Sequence, residues 1–310
     1  MTNTSPAGTS TADRAPDAIA HAIRLRVFEH VLRNDGGYLS QALSAAEIFA
    51  ALYGRVLHLG PVVGPTTPRP FPGVPSATNP DFESGGRFNG APAPDRDRFI
   101  FSPAHYALVL YATLIEVGRL DPDALDRFDE DGSTLEMIGA EHSPGVETTT
   151  GSLAQAYSQA AGIAMGRRMK GETGRTWVMM SDGEFQEGQT WEALSFASFH
   201  GLDGLRAVVD ANGQQCDGDM RTVGSIEPLA ARIEAFGCEA REVDGHDLDA
   251  LTAAMTEPGD RPVLVIARTD PTRGVPLYRE RAPLLHTLRF TDEADKARYQ
   301  QAFEQLREAR

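Results

Sequence analysis

The sequence predicts an α/β protein with a doubly wound, mostly parallel sheet flanked by helices. Short apolar runs, typical of strands buried on both faces, alternate with stretches in which apolar residues recur at helical spacing. The clearest unit is a predicted strand at 176–180, a helix at 189–200 and a second strand at 206–210. At 310 residues, with 41% hydrophobic and 24% charged residues, the chain can bury a full core of this kind.

The chain divides into three predicted segments. We expect residues 1–16, which are small and polar, to be a disordered tail. Residues 17–290 form the predicted main domain, and residues 291–310 a charged, amphipathic C-terminal helix. Within the main domain, residues 60–94 are dense in Pro and Gly and show no period. They are predicted to be an irregular insertion, either a lid over a substrate or a loose surface loop.

Local patterns predict several further elements. Residues 17–32 are a predicted helix, and Ser44-Ala45-Ala46-Glu47 is a capping box that predicts the start of a second one. Asp121-Pro122 predicts another helix start, because Asp caps well and Pro fits the first turn. Asp247 is predicted to cap a later helix, and the apolar run 262–268 to form a buried strand.

Composition argues against several functional classes. A nucleic-acid-binding surface needs clustered Lys and Arg, whereas this chain has a net charge of −15. The two cysteines provide neither a disulfide framework nor zinc-binding spacing. The sequence shows no secretory signal and no membrane-spanning segment, so we expect a cytoplasmic protein with no membrane partner.

Two polar turns follow the strands of the clearest unit. Asp182-Gly183 comes after 176–180, and Asn212 follows 206–210. Ligands bind outside the carboxyl ends of parallel strands, so we expect these side chains to lie together. Carboxylate and amide oxygens suit Mg²⁺ or another divalent cation, and Gly183 would let the backbone approach a diphosphate. The sequence therefore predicts a cation site for a diphosphate at this edge.

The spacing of the two turns resembles the thiamine-diphosphate fingerprint, in which Gly-Asp-Gly is followed after roughly 25 to 30 residues by Asn. Here 28 residues separate Gly183 from Asn212, and Ser181 stands in place of the first Gly. The run EGQTWEA after the acidic turn, and PGVE with TGSL within 144–153, resemble the amino-terminal, diphosphate-binding half of transketolases. This resemblance covers most of residues 17–290.

The resemblance implies a role for individual residues. The metal ligands would be Asp182, the Asn212 side chain and the Gln214 carbonyl. The residues that bind thiamine diphosphate would be Gly151, Leu153, Asp182, Gly183, Glu184, Asn212 and His105. The catalytic residues would be His105, His286, Glu187 and Glu192. The two glutamates match family positions beside the cofactor and the subunit interface, or else they are solvated helix charges.

Departures from the family pattern bear on the substrate. Tyr38 occupies the slot of an active-site histidine, and a tyrosine is not a base near neutral pH. His142 lies just before the PGVE run and is a candidate replacement for a family histidine, so Tyr38 and His142 are the predicted substrate residues. Ala154 and Ala156 stand where the family has two glycines.

The resemblance implies a transferase of carbohydrate metabolism that moves a two-carbon ketol unit from a ketose or ketose phosphate to an aldose-type acceptor. The family's second domain, which contacts the aminopyrimidine ring, has no counterpart here, so we expect one subunit of a split enzyme. A separate pyrimidine-binding, C-terminal-type subunit would complete an α₂β₂ heterotetramer. Two alternatives stay open: a subunit of a thiamine-diphosphate-dependent 2-oxo acid decarboxylase or synthase, and a catalytically inactive scaffold.

Overall fold

The computed structural model describes residues 14–74 and 76–309. The predicted tail, residues 1–16, lies mostly outside the described residues. Within residues 14–16, the described part of this segment, Arg14 forms an ion pair with Glu116 and Pro16 is the first residue of the first helix.

A five-stranded parallel sheet forms the centre of the fold. In chain order the strands are β1 (Arg98–Phe101), β2 (Thr176–Ser181), β3 (Leu205–Ala211), β4 (Glu239–Asp244) and β5 (Val263–Arg268). Their order across the sheet is β1, β2, β3, β5, β4. The register pairs Thr176 with Leu205 and Ser181 with Asp210, so the ends of β2 and β3 are level.

Helices cover both faces of this sheet. The first face packs against α1 (Pro16–Arg33), α2 (Leu39–Ala51), α3 (Ala107–Glu116), α8 (Leu248–Thr256) and α9 (Glu293–Glu308). The second face packs against α4 (Gln155–Met169), α5 (Gly188–Phe199) and α7 (Leu229–Ala235), and a single turn, α6 (Met220–Val223), precedes α7. Alternate residues of β2 serve the two layers, Trp177 and Met179 the first, Val178 and Met180 the second. The predicted α/β class with a doubly wound parallel sheet is confirmed.

No helix within residues 14–74 and 76–309 combines the length and the apolar character needed to cross a membrane.

The predicted helix start at Ser44 is wrong. Helix α2 begins at Leu39, so Ser44 and Glu47 lie inside it. Ser44 Oγ donates to Asp210 Oδ2 over 2.6 Å, and Glu47 forms an ion pair with Arg24 on α1. Partners from distant parts of the chain therefore engage both side chains of the predicted capping box. Asp247, by contrast, does cap α8, as predicted.

The irregular insertion 60–94 packs on the segment that follows α3. Phe71 N donates to Gly132 O over 2.8 Å, and Gly85 N donates to Glu141 O over 2.6 Å. A Cβ on Gly85 would lie 1.7 Å from the Ser143 carbonyl oxygen, so the two segments are in direct contact. The helix predicted from Asp121-Pro122 is wrong, because that segment forms only a 3-10 turn at Ala124–Arg127.

Candidate functional site

The polar residues predicted for the site lie at the carboxyl edge of the sheet. Asp182 directly follows β2, Asn212 directly follows β3, and His105 lies in a 3-10 turn, Ala104–Tyr106, soon after β1. Parallel strands carry these three turns to the same edge. The edge therefore collects a carboxylate, an amide and an imidazole from separate parts of the chain.

Asp182 joins two of these turns. Its side chain is buried, and Oδ2 accepts a hydrogen bond from Gly213 N over 2.8 Å. Gly213 has φ of +70°, a left-handed conformation that glycine adopts without strain. The turn after β2 is thereby tied to the turn after β3.

The amide of Asn212 is oriented by its neighbours. Its Nδ2 donates to Asp210 Oδ2 over 3.1 Å and to the Tyr106 hydroxyl over 3.0 Å. Its Oδ1 accepts from Gln214 N over 2.8 Å. Because both amide protons are engaged, the second lone pair of Oδ1 is the position left for a ligand.

Asp210, which no sequence motif singles out, organises this edge. Its buried carboxylate accepts from Ser44 Oγ and from the Tyr106 hydroxyl, each over 2.6 Å, and from Thr269 and Asn212. These donors lie on α2, after β1, after β5 and after β3, so one carboxylate links four segments. The only signal in the sequence is a carboxylate at the end of an apolar strand, because a buried carboxylate requires dedicated donors.

Glu184 holds the turn that contains Asp182 through three further hydrogen bonds. Its fully buried carboxylate accepts from Ser102 Oγ over 2.6 Å, from Ser181 N over 3.0 Å and from Ala154 N over 3.1 Å. Burial raises the pKa of Glu184 to about 7. Glu184 thus joins the ends of β1 and β2 to the start of α4 and holds the turn that carries Asp182.

The segment before α4, which contains Gly151 and Leu153, lies against the turn at Gly183 and against the turn that contains His105. A Cβ added at Gly183 would lie 4.0 Å from Leu153 Cδ1, with no other heavy atom of the described chain within 4 Å outside the neighbouring residues. A Cβ added at Gly151 would lie 3.5 Å from Ala104 Cβ, beside His105. Gly183 therefore borders open space, and Leu153 forms one wall of it.

Ala154 adopts a backbone conformation that usually requires glycine. Its φ is +71°, and its N–H is the one that bonds to Glu184. An L-residue with a Cβ meets a steric cost in this region. Ala154 keeps this conformation while its N–H donates to the buried Glu184 carboxylate, so the bond offsets part of the steric cost.

Electrostatics at this edge favours a bound cation. Burial, and then the nearby Asp210 carboxylate, raise the pKa of Asp182 to about 8. Two carboxylates held together away from water need a positive charge close by, which a divalent cation would supply. Gln214 Oε1, a side-chain atom distinct from the predicted carbonyl ligand, is also buried and has no hydrogen-bond partner within the described residues. The Asp182 carboxylate and Asn212 Oδ1 are oxygen donors of the kind that a hard divalent cation prefers.

The ligand set is poor in charged groups. The part of the chain that the structure describes contains no group of three or more His, Cys, Asp or Glu side chains arranged to hold a metal. The predicted set needs none, since it combines one carboxylate with the Asn212 amide oxygen and the Gln214 carbonyl oxygen. The remaining ligands would come from a diphosphate and water.

Three aromatic side chains form a second cluster, the Tyr38/His105/His286 cluster. The ring centroids of His105 and His286 are 4.8 Å apart, and that of Tyr38 lies 5.6 Å from His286 and 6.1 Å from His105. An antiparallel ladder of two residues on each side, Gly36–Gly37 with Leu288–Arg289, brings Tyr38 and His286 together. The structure thus groups three of the predicted site residues from distant parts of the sequence.

This cluster adjoins the cation edge and is uncharged. The ring of Tyr106, which bonds to Asn212, has its centroid 4.8 Å from that of His105. Burial, and then His286, lower the pKa of His105 to about 3. Burial lowers the pKa of His286 as well. Both imidazoles are therefore neutral near pH 7.

Three predicted site residues lie elsewhere. His142 packs on Phe71 of the insertion, with ring centroids 4.4 Å apart, and its Nε2 is 3.3 Å from Glu136 Oε1. Glu187 precedes α5 as its N-cap residue, Glu192 lies in the first turns of that helix, and both are exposed. The structure therefore places His142 beside the insertion and the two glutamates on an open surface.

Comparison with known proteins matches most of the chain. The model of the transketolase thiamine diphosphate binding domain matches residues 89–304. The transketolase family protein y4mO of Sinorhizobium fredii is 35% identical over 277 residues, which cover 85% of this chain and 90% of that one. The 6-deoxy-6-sulfo-D-fructose transketolase subunit SqwG of a Clostridium species is 29% identical over 282 residues, covering 90% and 92%. An apulose-4-phosphate transketolase subunit of Actinobacillus succinogenes is 30% identical over 265 residues, covering 84% and 86%.

Solved transketolase structures share the fold. The crystal structure of the Campylobacter jejuni transketolase superposes with a TM-score of 0.72 at 22% sequence identity. The match covers 94% of this chain and 46% of that one, so this chain spans about half the length of that enzyme.

Proposed function

This chain belongs to the transketolase family, and we propose that it is the diphosphate- and metal-binding subunit of a two-component transketolase. It would transfer a two-carbon ketol unit from a ketose or ketose phosphate to an aldose-type acceptor, with the carbanion chemistry supplied by bound thiamine diphosphate. The observation that carries the proposal is the joined pair of turns, in which Asp182 bonds to Gly213 beside the oriented amide of Asn212.

We assign the cofactor end of the site to the cation edge. Asp182, Asn212 Oδ1 and the Gln214 carbonyl oxygen would hold Mg²⁺ or a similar ion. Phosphate oxygens, which such an ion prefers, would complete its coordination. The open space beside Gly183 leaves room for a diphosphate against the backbone, and Leu153 would contact an apolar part of the same molecule.

We assign the substrate end to the Tyr38/His105/His286 cluster. A neutral imidazole donates at one ring nitrogen and accepts at the other, and a tyrosine hydroxyl can do both. Such a set suits the hydroxyl and carbonyl groups of a sugar. His105 and His286 would orient these groups and pass a proton between oxygens, a contribution of roughly 10²- to 10⁴-fold in rate.

A partner chain is part of the proposal. SqwG and the apulose-4-phosphate enzyme chain are both named as subunits, and this chain matches nearly their full lengths. The exposed surface of α5 presents Glu187 and Glu192 together with Phe199, which is 85% exposed. We propose that this surface meets a pyrimidine-binding subunit in an α₂β₂ assembly.

Reconstitution tests the proposal. The chain is co-expressed with the product of the neighbouring reading frame, and the two separate chains and their complex are assayed with Mg²⁺ and thiamine diphosphate. Ketose, ketose-phosphate and pyruvate donors are screened with aldose acceptors. We expect ketol transfer by the complex and none by either chain on its own. Carbon dioxide release from pyruvate would instead establish a 2-oxo acid enzyme, and a complex that binds no cofactor would establish an inactive scaffold.

A further inference from the structure

A cavity lies at the amino-terminal edge of the sheet, opposite the cation edge. Its volume is about 370 Å³, and its walls include the first residue of β2, Thr176, and Arg206 near the start of β3. The end of α4 and the turn after α8 complete it. Strand β2 separates Thr176 from Asp182 by about 20 Å, so this cavity is remote from the cation edge.

The cavity concentrates positive charge in an acidic protein. Its walls carry two carboxylates, Glu172 and Asp203, against four guanidinium groups, in a chain of net charge −15. The four arginines are Arg167, Arg168, Arg175 and Arg206. Two of them have evident structural partners: Arg167 lies 3.0 Å from Glu172, and Arg168 donates to the carbonyl of Gly201.

Neither of the other two arginines forms an ion pair with a carboxylate within the described residues. In the described part of the chain, the hydrogen bonds of Arg175 are made by its backbone. Arg206 is 3% exposed, donates from Nη1 to Glu257 O over 3.1 Å, and has a buried Nε without a partner. Because the register pairs Trp177 with Arg206, Arg175 and Arg206 project from the same face of the sheet, close together.

The positive charge at Arg206 is only partly compensated. Burial, and then the neighbouring cations Arg175 and Arg241, lower the pKa of Arg206 to about 10, although the carboxylates of Glu239 and Asp203 act in the opposite direction. A buried guanidinium is normally paired with a carboxylate or another anion. An anion in the cavity would offset the repulsion between Arg175 and Arg206 and accept a bond from Arg206 Nε.

One further polar atom of the lining is available to the same ligand. Thr176 Oγ1 is buried and has no hydrogen-bond partner within the described residues. Arg167 Nε, by contrast, lies 3.0 Å from Glu172 Oε2. A hydroxyl and guanidinium N–H groups are donors typical of oxyanion sites.

We propose that this cavity binds a small oxyanion of the phosphate class, either free phosphate or the phosphoryl group of a small metabolite. Arg175 and Arg206 supply the charge from one face of the sheet, and the Thr176 hydroxyl, which lines the cavity from the other face of the same edge, supplies a neutral donor. The volume admits a phosphate ion or a small phosphorylated metabolite. The site is independent of the proposed function, because it lies at the other edge of the sheet.

Calorimetric titration of the full-length chain tests the proposal. Inorganic phosphate and a small sugar phosphate are titrated separately in EDTA, without thiamine diphosphate, at physiological salt. We expect saturable binding that Arg175→Gln weakens by about 10- to 100-fold, the usual range for a charge-assisted bond. Thr176→Val, which keeps the volume, should weaken it by a smaller factor. Tighter binding of the sugar phosphate would identify a metabolite as the ligand.

Matched controls distinguish binding in this cavity from binding at the cation edge and from a general effect of net charge. Arg273→Gln removes the same charge from an exposed position outside the cavity and should leave binding unchanged. Asp182→Asn should also leave it unchanged. The proposal is overturned if the wild-type chain shows no saturable binding at millimolar phosphate, or if Arg175→Gln and Arg273→Gln have equal effects. Tighter phosphate binding in Asp182→Asn, where a repelling carboxylate is removed, would assign the anion to the cation edge instead.

Discussion

The Asp182 carboxylate and the Gly213 backbone N–H lie 2.8 Å apart, across the ends of two adjacent strands. This bond, with the bonds that hold the Asn212 amide, assembles the proposed cation ligands within the folded chain. Little reorganisation is then needed when an ion binds, which favours affinity.

Replacement of Asp182 separates cation binding from folding. In Asp182→Asn we expect Mg²⁺ with thiamine diphosphate to produce no rise in Tm of the reconstituted complex, because the charged ligand is gone. Without the cation, the variant should be at least as stable as the wild type, because the neutral amide is not repelled by Asp210 and still accepts from Gly213.

Thermal unfolding with and without the ion measures both effects. Asp260→Asn, at an exposed position, is the matched control and should respond as the wild type does. A cation-dependent rise in Tm that survives in Asp182→Asn would refute the metal assignment.

Ala154 and Ala156, at positions where the family resemblance leads us to expect glycine, should respond to replacement in opposite directions. Ala154→Gly relieves the strain of φ +71° and should raise the free energy of unfolding by about 0.5–1 kcal/mol. Ala156→Gly, inside α4, should lower it by about 1 kcal/mol, because glycine is a poor helix former. Urea unfolding of both variants measures the pair, and changes of the same sign would contradict the role given to the Ala154 backbone.

The neutral state of His105 predicts a pH dependence. Burial and His286 lower the pKa of His105 to about 3, whereas an unfolded imidazole has a pKa of about 6.5. The unfolded state therefore binds more protons between these values, and stability should fall as the pH drops below about 6.5. The slope should be shallower in His105→Gln. In NMR spectra of the histidine rings, a His105 signal that titrates near pH 6 would contradict the prediction.

The buried ion pair between Glu47 on α2 and Arg24 on α1 predicts a loss of stability at acid pH. Burial opposes the ionisation of Glu47, but the hydrogen bond from His246 and the charge of Arg24 outweigh it and lower its pKa to about 2. The charged form therefore stabilises the fold above about pH 4.5, and this contribution is lost as the pH falls toward 2.

Replacement of Glu47 measures that contribution. At neutral pH, Glu47→Gln should cost about 3 kcal/mol, since Arg24 loses a buried partner, and the gap from the wild type should close between pH 4.5 and 2. Glu29→Gln, which breaks an exposed pair with Arg33, should change stability by less than about 0.5 kcal/mol. Denaturant unfolding at several pH values provides the comparison, and a constant gap would show that ionisation of Glu47 is not responsible.

The apolar periodicity of the sequence was sufficient to predict the parallel sheet and the proximity of the two polar turns that follow β2 and β3. The apolar runs 176–180 and 206–210 lie within β2 and β3, and the parallel direction of these strands alone brings Asp182 and Asn212 to one edge. Such reasoning needs only local patterns and a rule about strand direction.

The hydrogen-bond partners of buried polar side chains could not be predicted from local sequence patterns. Asp210 is bonded to Ser44, Tyr106 and Thr269, which are distant in sequence and carry no shared local pattern. The capping box at Ser44 failed for the same reason, because tertiary partners outweighed a local preference. Tyr38 and His286 were proposed from family resemblance, and the short ladder that joins them has no signature in either segment.

The cation edge and the Tyr38/His105/His286 cluster are held by elements of very different size. Five strands carry the cation edge, whereas four ladder residues, Gly36–Gly37 and Leu288–Arg289, align Tyr38 with His286. A change in either short segment should therefore move Tyr38 relative to His286 without disturbing the strands that carry Asp182 and Asn212. The geometry of the proposed sugar end can thus vary independently of the proposed cation end.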